Sequence, residues 1–281
     1  MGGGPAAARG VAVTGVERPI GVFDSGIGGL TVMHALMERL PRESLVYFGD
    51  TARVPYGPKS RETVTRFSCE NVELLTERGV KAVVVACNTA TAQALPVRRE
   101  RFDLPIVGVV GPGARAGAAA TRSGRVGVIG THGTIGSGAY DRALLAVDPS
   151  LTVISRACPL FVPLAEEGMT DHPAARLIAA EYLAPFQEDG IDTLILGCTH
   201  YPLLKLVIGE ILGEGVTLID SAEETAREVE ALLAERALGR EGGPPEYRYL
   251  VSDLPDLFLR VGQRFLGERI GSVEVASAGA A

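Results

Sequence analysis

Two cysteines, one in each half of the chain, sit in matching settings. The first ends the run Val83-Val84-Val85-Ala86-Cys87 and is followed by Asn88-Thr89. The second ends Leu194-Ile195-Leu196-Gly197-Cys198 and is followed by Thr199-His200. A short continuous apolar run reads as a strand buried on both faces. Each thiol then stands at a strand's carboxyl end, before a helix, where α/β sheets place their ligands. A free Cys has a pKa of about 8.5. Unpaired N–H groups at a helix N-terminus lower it by stabilising the thiolate. Two such thiols on two similar halves predict a symmetric site, with one thiol on each side of a substrate.

The neighbouring residues extend that chemistry. His200 lies two residues after Cys198 and can exchange a proton with it. Asp24 opens the turn Asp24-Ser25-Gly26-Ile27-Gly28-Gly29 after the first apolar run. On spacing alone it is either a helix-capping acid or a functional carboxylate. The same turn fails the dinucleotide fingerprint, because Thr31 occupies the position of the third glycine. Cys158 precedes Pro159, which offers no N–H, and Cys69 falls within a helical pattern. Both read as small apolar side chains. Glu166 and Glu167, taken alone, read as a solvated helix face.

The elements that must carry these residues alternate between strand and helix. Strands are expected over 20–23, 45–48, 81–86 and 105–110, with helices over 29–40, 60–78 and 89–101. The pattern then restarts. Val126-Gly127-Val128-Ile129-Gly130-Thr131 echoes Ile20-Gly21-Val22-Phe23-Asp24-Ser25, at nearly the offset of the two cysteines. That points to a duplicated α/β unit. Later strands are expected over 151–157, 217–220, 247–252 and 272–275, and helices over 222–237 and 254–265. The last segments exceed what the second unit needs, so they are expected to return to the first. The fold class is therefore α/β, with two pseudosymmetric domains, mostly parallel sheets and the active site in the cleft between them. The expected division is a flexible tail over 1–18, a discontinuous first domain over 19–111 and 221–281, and a second over 112–220.

Composition limits the partners. The chain has 281 residues, 46% of them hydrophobic, and a net charge of −7 without a basic run. This argues against nucleic-acid and acidic-membrane surfaces. No apolar run approaches the length of a bilayer span. The first 18 residues are rich in Gly and Ala and lack the basic and apolar regions of an export signal. With four scattered cysteines, this implies reduced thiols in a cytoplasmic protein. A metal site of Cys87, Cys198, His200 and Asp24 is conceivable, but no Cys-x-x-Cys pair supports it.

Five ordered motifs resemble the glutamate racemases of the cofactor-independent aspartate/glutamate racemase superfamily. They are residues 23–32 (Phe-Asp-Ser-Gly-Ile-Gly-Gly-Leu-Thr-Val), 47–57 (Tyr-Phe-Gly-Asp-Thr-Ala-Arg-Val-Pro-Tyr-Gly) and 86–92 (Ala-Cys-Asn-Thr-Ala-Thr-Ala). The others are 158–168 (Cys-Pro-Leu-Phe-Val-Pro-Leu-Ala-Glu-Glu-Gly) and 197–204 (Gly-Cys-Thr-His-Tyr-Pro-Leu-Leu). The resemblance implies that Cys87 removes the α-proton of D-glutamate and Cys198 that of L-glutamate. It implies assisting roles for Asp24, Glu166 and His200. It implies substrate contacts at Asp24, Ser25, Tyr56, Gly57, Asn88, Thr89, Thr199 and His200. It further implies a homodimer that uses no metal and supplies D-glutamate to peptidoglycan synthesis. A pyridoxal cofactor would need a Schiff-base lysine, and Lys59, Lys81 and Lys205 all lie outside the motifs. The rival readings are the same chemistry on aspartate or a hydantoin, a one-cysteine decarboxylase, and a nucleotide-binding Rossmann protein.

Overall fold

A computed structural model describes residues 15–266 and 270–279. Most of the expected N-terminal tail, residues 1–14, lies outside the described residues. The chain opens with β1 (Ile20–Asp24), α1 (Leu30–Arg39), β2 (Leu45–Gly49), α2 (Arg61–Glu77), β3 (Ala82–Val85), α3 (Asn88–Arg101) and β4 (Ile106–Gly108). It crosses through α4 (Val110–Ala120) into β5 (Arg125–Gly130), α5 (His132–Gly136), α6 (Ala139–Val147), β6 (Thr152–Ala157), α7 (Phe161–Glu166) and α8 (Pro173–Glu188). Then come β7 (Thr193–Gly197), α9 (Lys205–Leu212), β8 (Thr217–Asp220) and α10 (Ser221–Glu235). It closes with β9 (Tyr247–Val251), α11 (Pro255–Leu266) and β10 (Val273–Val275).

Two sheets result, ordered β10-β9-β2-β1-β3-β4 and β6-β5-β7-β8. All their pairings are parallel. The first sheet thus takes strands from both ends of the chain. Strands β1, β2, β3 and β7 are buried at every position, which is why they read as unbroken apolar runs. The edge strands β6 and β8 are half-buried and more polar. Helices cover both faces of the first sheet. Leu36 of α1, Val229 of α10 and Phe258 of α11 pack with Tyr47 on one side, and Val64 and Leu75 of α2 pack with Phe23 on the other.

Two expectations are corrected. The strand over 105–110 ends at Gly108, because Val109 already has helical backbone angles and caps α4. Pro112 fits there because the first turn of a helix needs no N–H from it. Residues 15–18 were expected to belong to the tail, yet Gly15–Glu17 forms a 3-10 turn. Its anchor is Lys81, buried at the base of β3, whose ammonium donates to Val16 O and Leu238 O at 2.8 Å and pairs with Glu43 at 2.6 Å. A buried ammonium needs such partners, and Val16 is one of them. Among the described residues, no helix is long and apolar enough to cross a membrane.

Candidate active site

The carboxyl ends of β1 and β3 face those of β5 and β7 across a closed cleft. On the first side, Cys87 caps α3, its sulfur accepting the Ala90 N–H at 3.4 Å and its thiol donating to Ser25 Oγ at 3.6 Å. The cap geometry matches the sequence expectation, but its electrostatic result does not. Burial pushes the Cys87 thiol up to about 12, and the neighbouring Asp24 carboxylate adds to the rise. The Ala90 and Ser25 contacts offset only part of this. A cap N–H is a small stabiliser beside the removal of a thiolate from water next to an anion. Both effects favour the protonated thiol at Cys87.

Asp24 is 1% exposed. Its Oδ2 accepts the Gly26 N–H at 2.9 Å, and its Oδ1 has no partner. Burial raises its pKa, against the charge of His200 and the surrounding backbone N–H groups. It does not cap α1, whose N-cap is Gly29 without a side-chain bond.

The second side differs in build. Cys198 follows β7 directly, but a 3-10 turn, Tyr201–Leu204, comes before α9. The cap position belongs to His200, so no helix N–H is aimed at this sulfur as Ala90 is at Cys87. Its partner is His200 Nδ1 at 3.8 Å, and His200 Nε2 lies 2.9 Å from Glu166 Oε1. Burial lowers the His200 pKa, but contacts with Cys198 and Glu166 outweigh it and raise it to about 10. Glu166, the last residue of α7, is thus an ion-pair partner rather than part of a solvated face. Helix α11 backs this pair. The Phe265 ring meets His200 edge-on at 6.1 Å, and the Arg264 guanidinium donates to Glu166 O. A Cβ on Gly28 would lie 2.3 Å from Thr199 Oγ1 and 2.4 Å from His200 Cε1, so only glycine lets the first loop come this close.

The remaining predicted residues separate into those the fold brings to the cleft and one it does not. Thr89 Oγ1 reaches across to Thr131 at 2.9 Å and Thr134 at 3.2 Å. Gly57 lies against the Thr131 side chain. Thr199 is held by Thr31, whose hydroxyl donates to its carbonyl at 3.1 Å. Asn88 is buried beside Cys87 and accepts from Tyr140 OH at 2.7 Å, while its Nδ2 has no partner. Tyr56 turns its side chain into the first unit's core, donating to Asp50 and accepting from Asn71 at 3.1 Å. What that segment offers the cleft is backbone.

Residues not foreseen from the sequence are Thr131, Thr134, Tyr140 and the α11 pair. Thr131 was within reach, since the internal echo aligns it with Ser25. The others arrive through long-range packing and carry no local signal. Cys69 and Cys158 are buried, as expected. Among the described residues, no three His, Cys, Asp or Glu side chains converge to hold a metal ion.

Cys87 feels Asp24, Asp24 feels His200, and His200 bonds Cys198. The four groups share one buried, polar-lined region. Such an arrangement can move protons to and from a carbon acid held between the thiols.

Known proteins carry the same plan. The family description Asp/Glu/Hydantoin racemase matches residues 20–229. A glutamate racemase from Geobacter metallireducens is 57% identical over 257 residues, 91% of this chain and 95% of that protein. Among solved structures, glutamate racemase isoform RacE1 from Bacillus anthracis superposes with a TM-score of 0.90 at 44% identity, covering 92% of this chain and 97% of that one. A Francisella tularensis glutamate racemase in complex with D-glutamate gives 0.88 at 41% identity, covering 94% and 99%. With its two parallel sheets meeting at paired thiols, the chain belongs to the Asp/Glu/hydantoin racemase family.

Proposed function

We propose that the chain interconverts L- and D-glutamate by two-base proton transfer between Cys87 and Cys198. The single observation that carries this reading is the pair of buried thiols at facing strand ends, each with its own acid–base neighbour. Cys87 stands beside Asp24, whereas Cys198 contacts His200, which pairs in turn with Glu166. For L-glutamate, the Cys198 thiolate takes the α-proton, and the Cys87 thiol returns its own proton to the opposite face. The C–H bond broken on one face is replaced by one formed on the other. The thiolate and thiol exchange states, and no electrons are transferred to any other group. D-glutamate runs the reverse path, with Asp24 beside Cys87 as its proton partner.

The substrate must be held with its α-carbon between the two thiols. Asn88 Nδ2 is a buried donor without a partner, and Asp24 Oδ1 a buried acceptor without one. An amino acid brings both complements, a carboxylate for the first and an ammonium for the second. Ser25, Tyr56 and Gly57 backbone, Thr89, Thr199 and His200 complete the proposed contacts. Residues 19–111 with 221–281, and residues 112–220, act as two halves closing on the substrate and excluding water. No cofactor is assigned. The same proposal has the enzyme act in the cytoplasm as a homodimer that feeds D-glutamate to peptidoglycan synthesis, a reading the family resemblance supports.

Purified protein, treated with chelator and freed of pyridoxal phosphate, is expected to racemise either glutamate enantiomer by circular dichroism or chiral chromatography. Aspartate run in parallel is expected to be a poor substrate. Activity that returns only with added metal or pyridoxal phosphate, or that prefers aspartate, would overturn the proposal.

A further inference from the structure

Asn88 can serve a carboxylate only if its amide nitrogen, not its oxygen, points at the substrate. A free amide can turn over by half a rotation and present the wrong end. In this fold the orientation is set from outside the site. Tyr140, on α6 of the second unit, donates its hydroxyl proton to Asn88 Oδ1 at 2.7 Å. Tyr140 is 2% exposed, and its ring belongs to the core of the second sheet with Val128, Leu144 and Ile195. Behind it, the Ser221 side chain lies beside the Tyr140 hydroxyl, both packed against Gly113. Ser221 is the first residue of α10, 3% exposed, and the following residues Ala222 and Ala226 pack into the core of the first sheet.

The hydroxyl groups fix the polarity of this chain. A phenol carries one proton and can both donate and accept. The one proton of the Tyr140 phenol needs an acceptor. The Asn88 oxygen is that acceptor, which leaves Nδ2 as the end without a protein partner. The chain runs from a helix packed on the first sheet, through a tyrosine of the second, back to a first-unit residue beside Cys87. It is therefore complete only when the two units are apposed as they are here.

We propose that Tyr140, backed by Ser221, is a positioning residue that holds the Asn88 amide with its N–H groups toward a substrate carboxylate. This rests on the glutamate reading above. A phenylalanine at 140 keeps the ring and its packing and removes only the directing hydroxyl.

The test is a double-mutant cycle of Tyr140→Phe and Asn88→Ala, reading kcat and KM for both glutamate enantiomers together with thermal unfolding. A carboxylate contact made in ground and transition states alike acts on KM. Tyr140→Phe is expected to raise KM about five- to tenfold, the worth of one hydrogen bond, with kcat within about twofold. In the Asn88→Ala background the same substitution is expected to change KM by less than about twofold, because the group it orients is gone. Ser221→Ala is expected to act in the same direction, more weakly, and provides the cycle if Tyr140→Phe folds poorly. Equal losses in both backgrounds, or an unchanged KM in Tyr140→Phe, would overturn the relay. A wild-type protein inert toward glutamate would overturn the reaction assignment instead.

Discussion

Gly28→Ala is the smallest change that reaches the chemistry, because it adds one methyl group and removes nothing. The new Cβ would stand 2.3 Å from Thr199 Oγ1, 2.4 Å from His200 Cε1 and 2.5 Å from His200 Nδ1. Ordinary contact requires about 1 Å more. Neither neighbour can give that cheaply. Thr199 is tied through its carbonyl to Thr31, and His200 is held by Glu166 on one side and the Phe265 ring on another. Overpacking of this kind costs about 1–3 kcal/mol, which lowers Tm by a few degrees in a chain of this size. The larger effect is on rate. If His200 moves by about 1 Å, its 3.8 Å contact with Cys198 opens, and a misplacement of that order costs about 100-fold in rate. The assay is steady-state racemisation well below the variant's own Tm. Gly26→Ala is the control in the same turn. Its Cβ meets Val54 Cγ2 at 3.1 Å, a side chain with room to shift, so activity within a few-fold of wild type is expected. A Gly28→Ala enzyme with kcat within twofold of wild type would refute the claim that this contact holds His200 against Cys198.

Two further outcomes are expected. Because the two enantiomers have equal free energies, kcat/KM must stay equal in the two directions for any variant, so the roles of the thiols show in isotope effects. Cys198→Ser should show the larger α-deuterium effect with L-glutamate and Cys87→Ser with D-glutamate, since each serine slows abstraction from its own face. The same ordering of the two isotope effects in both variants would refute the face assignment. Glu166→Gln removes a charge that holds the proton on His200. Its folded pKa, raised to about 10, should fall by roughly 1–3 units. A raised histidine contributes stability fully below its unfolded value near 6.5 and loses it as pH rises through the folded value. In the variant, both the alkaline limb of kcat/KM and the high-pH loss of stability should therefore move to lower pH, while an alkaline limb left in place would show that His200 is not the group being titrated.

The strands that carry the site were legible because parallel strands buried on both faces leave unbroken apolar runs, as in Val83-Val84-Val85 and Leu194-Ile195-Leu196. Helix α4 was not legible. Gly111, Pro112, Gly113 and Gly117 make it look like a loop, yet the glycines are what let it lie on the sheet. A Cβ on Gly117 would stand 2.6 Å from Ile195 Cδ1. The thiols, Asp24 and His200 could be read because each follows a strand end. Glu166 could not be placed by local pattern, since what gives it a role is a histidine far along the chain. Tyr140 carries no local signal either, since its part comes from a hydroxyl that meets Asn88 across 52 positions of sequence.

The matched cysteine contexts imply two equivalent thiols, and the fold makes them unequal. A helix begins at once after Cys87, whereas two residues, Thr199 and His200, separate Cys198 from its 3-10 turn, and His200 takes that turn's cap. One thiol consequently sits by a carboxylate and the other by an imidazole. The proposed two-base scheme needs unequal thiols, because one base must be empty and the other loaded when substrate arrives. Each turnover reverses the loading. The enzyme must then return to its starting state or wait for the opposite enantiomer. Asp24 and His200 influence each other's titration while each attends its own thiol. Asp24 is buried with one oxygen unpaired and a raised pKa, which suits it to take the proton Cys87 must lose before it can act as a base. In the proposed scheme, the charge coupling between this carboxylate and His200 makes the titration of one side of the site depend on the state of the other.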